Sequence, residues 1–199
     1  MRTLRYCASI ALLAIGLTSF ASTGQSTHAS REAPTSAAAA DVHDFDFLVG
    51  EWRVRHRRLK ERLANSHEWL QFEGTLSNRS LMQGTANVGD NWFDMPAGAY
   101  RGVGFRAYDP KTRQWASWWL DGRDPFALLD PPSKGTFEQG VGTFYADSTF
   151  KGKPIRVRVV WSRITPVSAR WEQSFSVDSG RTWELNWISE FERVNEPRR

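Results

Sequence analysis

Between Pro154 and Trp161 the chain reads PIRVRVVW, and Ile155, Val157, Val159 and Trp161 alternate there with Arg156 and Arg158. The same period of two runs through WEQSFSV, where Trp171, Gln173, Phe175 and Val177 oppose Glu172, Ser174 and Ser176. It returns in WELNWISEFE, where Trp183, Leu185, Trp187 and Phe191 oppose Glu184, Asn186, Glu190 and Glu192. Successive strand side chains point to opposite faces, so each segment predicts a half-buried strand with one face on a core. Trp52, Val54 and His56 alternate with Arg53, Arg55 and Arg57 in the same way, and Leu70, Phe72 and Leu76 form a matching face with Gly74 between them. Turn chemistry separates the strands, at YDPKTRQ (108–114) and at ITPVS after Arg163. A helical period is absent, apart from a short stretch around VHDFDFLVG, and the pattern predicts an all-β antiparallel domain, a barrel or a sandwich.

The N-terminal segment breaks this pattern. Arg2 and Arg5 precede the apolar run YCASIALLAIGLTSF, which is too short to span a bilayer and is followed by small residues. It predicts a signal peptide over 1–21, cleaved after Ala21, with a second possible site after Ala29. Residues 22–40, rich in Ser, Thr and Ala, cannot bury apolar area and predict a flexible linker before a domain over 41–195. Cys7, the single cysteine, lies in the signal, so the mature chain would hold neither thiol nor disulfide. These features together predict a periplasmic or secreted bacterial protein, with no membrane association once the signal is removed.

The formal charge of +4 becomes +2 when Arg2 and Arg5 leave, because no acidic residue precedes Glu32. That balance argues against nucleic acid, and the basic run RVRHRRLKERL (53–63) reads as the solvated outer face of a strand.

Ten tryptophans, all beyond the linker, suit a barrel wide enough to hold a ligand against large aromatic walls. FDFLVGEW, Phe45 to Trp52, resembles the G-x-W opening of lipocalin and other calycin barrels, with Gly50 and Trp52 at the two fixed places. The resemblance implies that Trp52 closes the bottom of a barrel and that Arg193, in SEFERV, stacks on it. DFDFLVGEW, YDPKTRQWASWWLDGR and SVDSGRTWELNW, in that order, also resemble a bacterial family of small secreted proteins of unknown function with a lipocalin-like barrel. The expected fold is therefore an all-β, antiparallel up-and-down barrel, lipocalin- or calycin-like, of roughly eight to ten strands.

The eight residues SVDSGRTW (176–183) match the Asp-box of sialidases, but a sialidase propeller needs several boxes and several blades. One box predicts a hairpin staple, with Asp178 folded over its turn and out of any pocket, joining strands 171–177 and 183–194. No cofactor is expected: the nitrobindin barrels hold haem through a histidine on a late strand, and all four histidines here lie at or before His67. No thiol remains for a metal and no HExxH, nucleophile elbow or phosphate-cradling loop is present.

Alternation nominates lining positions from each end of the domain. Val54, His56, Leu70 and Phe72 come from its start, Trp119 from its middle, and Val159, Trp161, Trp171, Gln173, Phe175 and Trp187 from its close. Of these, His56, Phe72, Trp119, Trp161, Trp171, Gln173 and Trp187 are the candidate ligand contacts. WWLDGRDP adds Asp121 and Arg123 as polar candidates at a barrel mouth, although Asp-Gly is a turn signal and an Asp–Arg pair a common loop clasp. The favoured function is binding of a small apolar or aromatic molecule by a monomer or weak dimer. The alternatives are a calycin-like isomerase, lyase or hydrolase using His56, Asp121 and Arg123, and a structural or partner-binding domain.

Overall fold

The computed structural model describes residues 41–194. The signal and linker expected over 1–40, and residue 195, lie outside the described residues. Ten strands follow a short 3-10 turn at Asp46–Leu48: β1 (Gly50–Leu59), β2 (Trp69–Leu81), β3 (Ala86–Phe93), β4 (Tyr100–Asp109), β5 (Gln114–Asp121), β6 (Ser133–Glu138), β7 (Val141–Phe150), β8 (Lys153–Ser162), β9 (Ser168–Ser176) and β10 (Glu184–Arg193). Each pairs antiparallel with the next, and β10 returns to β1 to close the barrel.

The 3-10 turn plugs one end, here the floor. Phe45 just before it sits at the centre of an aromatic cluster, edge-on to Trp115 and Phe137 at 5.0 Å each and close to Trp161. Such edge contacts add to area burial because ring edges are positive and faces negative. Trp52 donates its indole N–H to Leu48 O at 2.8 Å, and Arg193 lies over its ring at 4.2 Å. Arg193 also donates from Nη1 to Val49 O at 2.6 Å, from Nη2 to Phe47 O at 2.5 Å and from Nε to Pro166 O at 2.7 Å. Gly50 makes room for that fork: its φ is +123°, and a Cβ there would come within 2.4 Å of Arg193 Nη1.

The alternation holds along β1 and, on β9, for Trp171, Gln173 and Phe175, which face the lumen. Val177, expected on the same inward set, is 62% exposed because β9 ends at Ser176 and Val177 belongs to the turn, while Ser174 and Ser176, expected on the polar outer face, are buried. On β10 the phase itself changes. Register slips between Leu185 and Trp187, so Leu185 turns outward while Asn186 is fully buried. A bulge of this kind inserts one residue and reverses the phase of everything before it. Trp183, expected on the inward set, accordingly lies outside the lumen under Arg158 and against Tyr145.

The turn before Trp183 is held by its own side chains. Asp178 accepts from Ser176 Oγ at 2.7 Å, Thr182 Oγ1 at 2.6 Å and Thr182 N at 2.9 Å, while Ser176 Oγ receives the Gly180 N–H at 2.8 Å. Those donors hold the Asp178 carboxyl far below the ordinary carboxylate value of 3.8. Its stabilising share is therefore present above that value and is lost as acid protonates first the unfolded and then the folded chain. Asp178→Asn should lower Tm at neutral pH, and thermal melts should show the deficit shrinking below the ordinary carboxylate value.

Candidate functional site

A cavity of about 410 Å3 runs from above the Phe45 plug to the opposite end of the barrel. Its size falls in the range of small-molecule sites. Six of the residues expected to contact a ligand stand on its wall: His56, Trp119, Trp161, Trp171, Gln173 and Trp187. Val159 and Phe175 stand there too. Phe72 does not; it is stacked behind the His56 imidazole at 4.9 Å and packs with Phe93. Val54 belongs to the floor cluster and Leu70 packs against the Phe72 group, so neither lines the cavity. In each case an inward side chain is covered by its neighbour, which alternation along one strand cannot reveal.

Trp119 is 41% exposed because the wall opens beside it. β5 pairs with β6 only from Trp115 to Ser117, which leaves its last four residues without a partner on that side. The connection that follows carries Phe126 and Leu128, each 98% exposed, and then Asp130 and Pro131, which line the cavity.

Asp121 and Arg123 lie at this mouth and clasp each other. Arg123 Nη2 and Nε donate to the two Asp121 oxygens at 2.5 and 2.9 Å, and its backbone N–H adds a third bond at 2.9 Å. The bidentate pair holds Asp121 below its ordinary value and raises Arg123. Arg123 also lies over the Tyr100 ring at 3.9 Å.

His56 is buried and neutral. Its Nδ1 lies 2.8 Å from Ser189 Oγ and receives the Trp187 indole N–H at 3.4 Å. Indole nitrogen can only donate, so Nδ1 is the acceptor and the ring proton sits on Nε2. Burial alone pushes the imidazole down to about 3. Gly74 gives the ring its room: a Cβ there would come within 2.9 Å of Nε2 and 2.3 Å of Trp92 O.

Four arginines line the cavity, and three were hidden from the expectations above. Arg123 was nominated; Arg58, Arg62 and Arg106 were not. Arg53, Arg55 and Arg57 do face solvent, but Arg58 and Arg62, in the same basic run, turn to the lumen. Arg58 lies over Trp187 at 5.5 Å, and Arg62 over Phe150 at 4.6 Å. Burial lowers both guanidinium pKa values, and with the neighbouring positive charges of Arg58 and Arg123 it brings Arg62 to about 10. Phase carried the signal for Arg58, two places beyond His56 on the inward series of β1. For Arg106 the signal misleads: Val103 and Phe105 look like the inward set of β4, yet the cavity wall is built from Tyr100, Gly104 and Arg106.

Comparison with protein families and with curated proteins finds no match to the sequence. Among solved structures, the chain is similar to an S-type phycobiliprotein lyase from Guillardia theta, with 11% identity and a TM-score of 0.50 over 77% of this chain and 92% of that one. The two share a lipocalin-like, calycin barrel fold.

Proposed function

We propose that this protein is an exported barrel that binds a small molecule with an apolar or aromatic body in its lumen, and that it is related to the bacterial secreted proteins of unknown function that its three motifs resemble. The observation that carries the reading is the cavity itself: about 410 Å3 stays unfilled between walls that include Trp161, Trp171 and Trp187. A barrel built only for stability would fill that space, since interiors pack like organic crystals and voids cost energy. The phycobiliprotein lyase of the same fold acts, by its name, on proteins that carry a bilin, which is compatible with a small aromatic ligand here. Export rests on the N-terminal apolar run that follows Arg2 and Arg5, with cysteine confined to Cys7 within that run.

Ser189 Oγ beside His56 Nδ1 has the separation of a nucleophile and its base, and it is what an enzyme on this barrel would use. Binding is favoured over that chemistry because His56, held down to about 3, is neutral and too weak a base at neutral pH to take the Ser189 proton. No carboxylate hydrogen-bonds its ring among the described residues.

Tryptophan fluorescence during titration with fatty acids, flavonoid-like aromatics and porphyrins tests the reading. At least one class should quench saturably, and Ser117→Phe, which fills the cavity from its wall, should abolish the quenching without unfolding the barrel. Quenching by no class, or quenching that survives Ser117→Phe, would sink it.

A further inference from the structure

Arg106 is the least explained charge in the molecule. It stands on the cavity wall above the floor, with its guanidinium 5.4 Å from the Phe45 ring and 5.7 Å from Trp161. It makes no ion pair among the described residues. It donates from Nη1 to a neutral acceptor, Asn87 Oδ1, at 3.2 Å, and its Nε is buried without a partner. Burial alone pulls the guanidinium down to about 10. An uncompensated buried charge is costly, and a methionine of similar length would fill the same space without that cost.

The direction of the side chain is as informative as its isolation. A Cβ on Gly104 would meet Arg106 Nη2 at 3.4 Å and Nη1 at 3.6 Å, so the guanidinium folds back along its own strand toward the mouth. The absence of a side chain at Gly104 leaves the fork open to the cavity. Nearer the mouth, Arg58 and Arg62 face the same space, also without ion pairs among the described residues, and only Asp121 and Asp130 supply negative charge on the wall.

We propose that the ligand is an organic anion, and that its acidic group, a carboxylate or a comparable oxyanion, is bound by the Arg106 guanidinium while its apolar body lies against Trp161 and Trp171. The proposal rests on the lumen-binding reading above and names the ligand class. A carboxylate offers the two in-plane oxygens that the guanidinium fork matches, and it supplies the missing counter-charge inside a chamber that excludes competing water. Arg58 and Arg62 raise the concentration of anions at the mouth and speed their capture.

The test compares 1-pyrenebutyrate with 1-pyrenebutanol, which share one aromatic body and differ in the charged end, by energy transfer from tryptophan. The wild-type protein should bind the acid at least about tenfold more tightly than the alcohol, the scale of one charge-assisted hydrogen-bond pair. Arg106→Met should keep the alcohol affinity and reduce the preference to less than about twofold. Its Tm without ligand should equal or exceed that of the wild type, whereas a residue kept for structure would lower it. An undiminished preference in Arg106→Met overturns the proposal, as does a preference lost only in Arg58→Met with Arg62→Met, which would put the acid at the mouth. Equal binding of acid and alcohol by the wild type overturns it too and leaves the lumen-binding reading standing. Binding of neither sinks both.

Discussion

Trp52→Ala is expected to destabilise the barrel by about 3–5 kcal/mol, the scale of deleting a large buried aromatic. The indole is 1% exposed, and it touches three parts of the floor at once: Leu48 O through its N–H, Phe191 edge-on at 6.1 Å, and the Arg193 guanidinium over its face. Truncation therefore leaves a void, an unpaired carbonyl and an arginine without its platform. Trp52→Phe separates these losses, keeping a ring under Arg193 while abandoning the bond to Leu48 O, and should cost about 1–3 kcal/mol. Arg193→Lys should also be poorly tolerated, because one ammonium cannot reach the three carbonyls that the planar fork spans. Urea denaturation of the three variants reads all of this. A deficit below about 1 kcal/mol for Trp52→Ala would show that the floor is not a cooperative unit.

A second large effect is expected from His56 in acid. The folded imidazole is pushed from 6.5 down to about 3, so below 6.5 the unfolded chain takes up a proton that the folded chain refuses. Stability present above 6.5 is therefore withdrawn as the pH falls toward about 3, at about 1 kcal/mol for each pH unit. His56→Gln removes the titration. The stability of the wild type relative to this variant should fall steadily between pH 6.5 and 3.5 and stay level above pH 7, as followed by urea denaturation at each pH. Other titrating groups are common to both proteins and cancel in the difference. A difference that does not change over that interval would mean that the ring is hydrated in solution.

The strands of this barrel were legible because their outer faces are polar. On β1 the exposed arginines mark the inner residues by contrast, and the G-x-W opening led directly to Gly50, Trp52 and Arg193, which the structure brings together at the floor. The site was less legible, for a related reason. A lumen with polar residues in it weakens the contrast on which alternation depends, and on β4 it reverses it: Arg106 faces in while Phe105 packs with Trp118 at 5.4 Å. The bulge at Asn186 was equally silent, since one inserted residue leaves composition untouched and changes only phase. Whether Trp161, Trp171 and Trp187 would fill the lumen or wall it was a question of volume across ten strands, which no single strand encodes.

The Arg193 clasp also sets an order in time. Its partners Val49 and Phe47 lie 144 and 146 residues earlier in the chain, so during synthesis the first strand waits for the last one to be made. Until then the nascent chain has an aromatic floor without its cover and a backbone edge without its neighbour, the state in which chains stick to one another. The arrival of β10, rather than any local turn, is the event that lets this domain finish. A chain that stops before Glu184 is consequently not a smaller barrel but an open sheet with two adhesive sides, along β1 and β9.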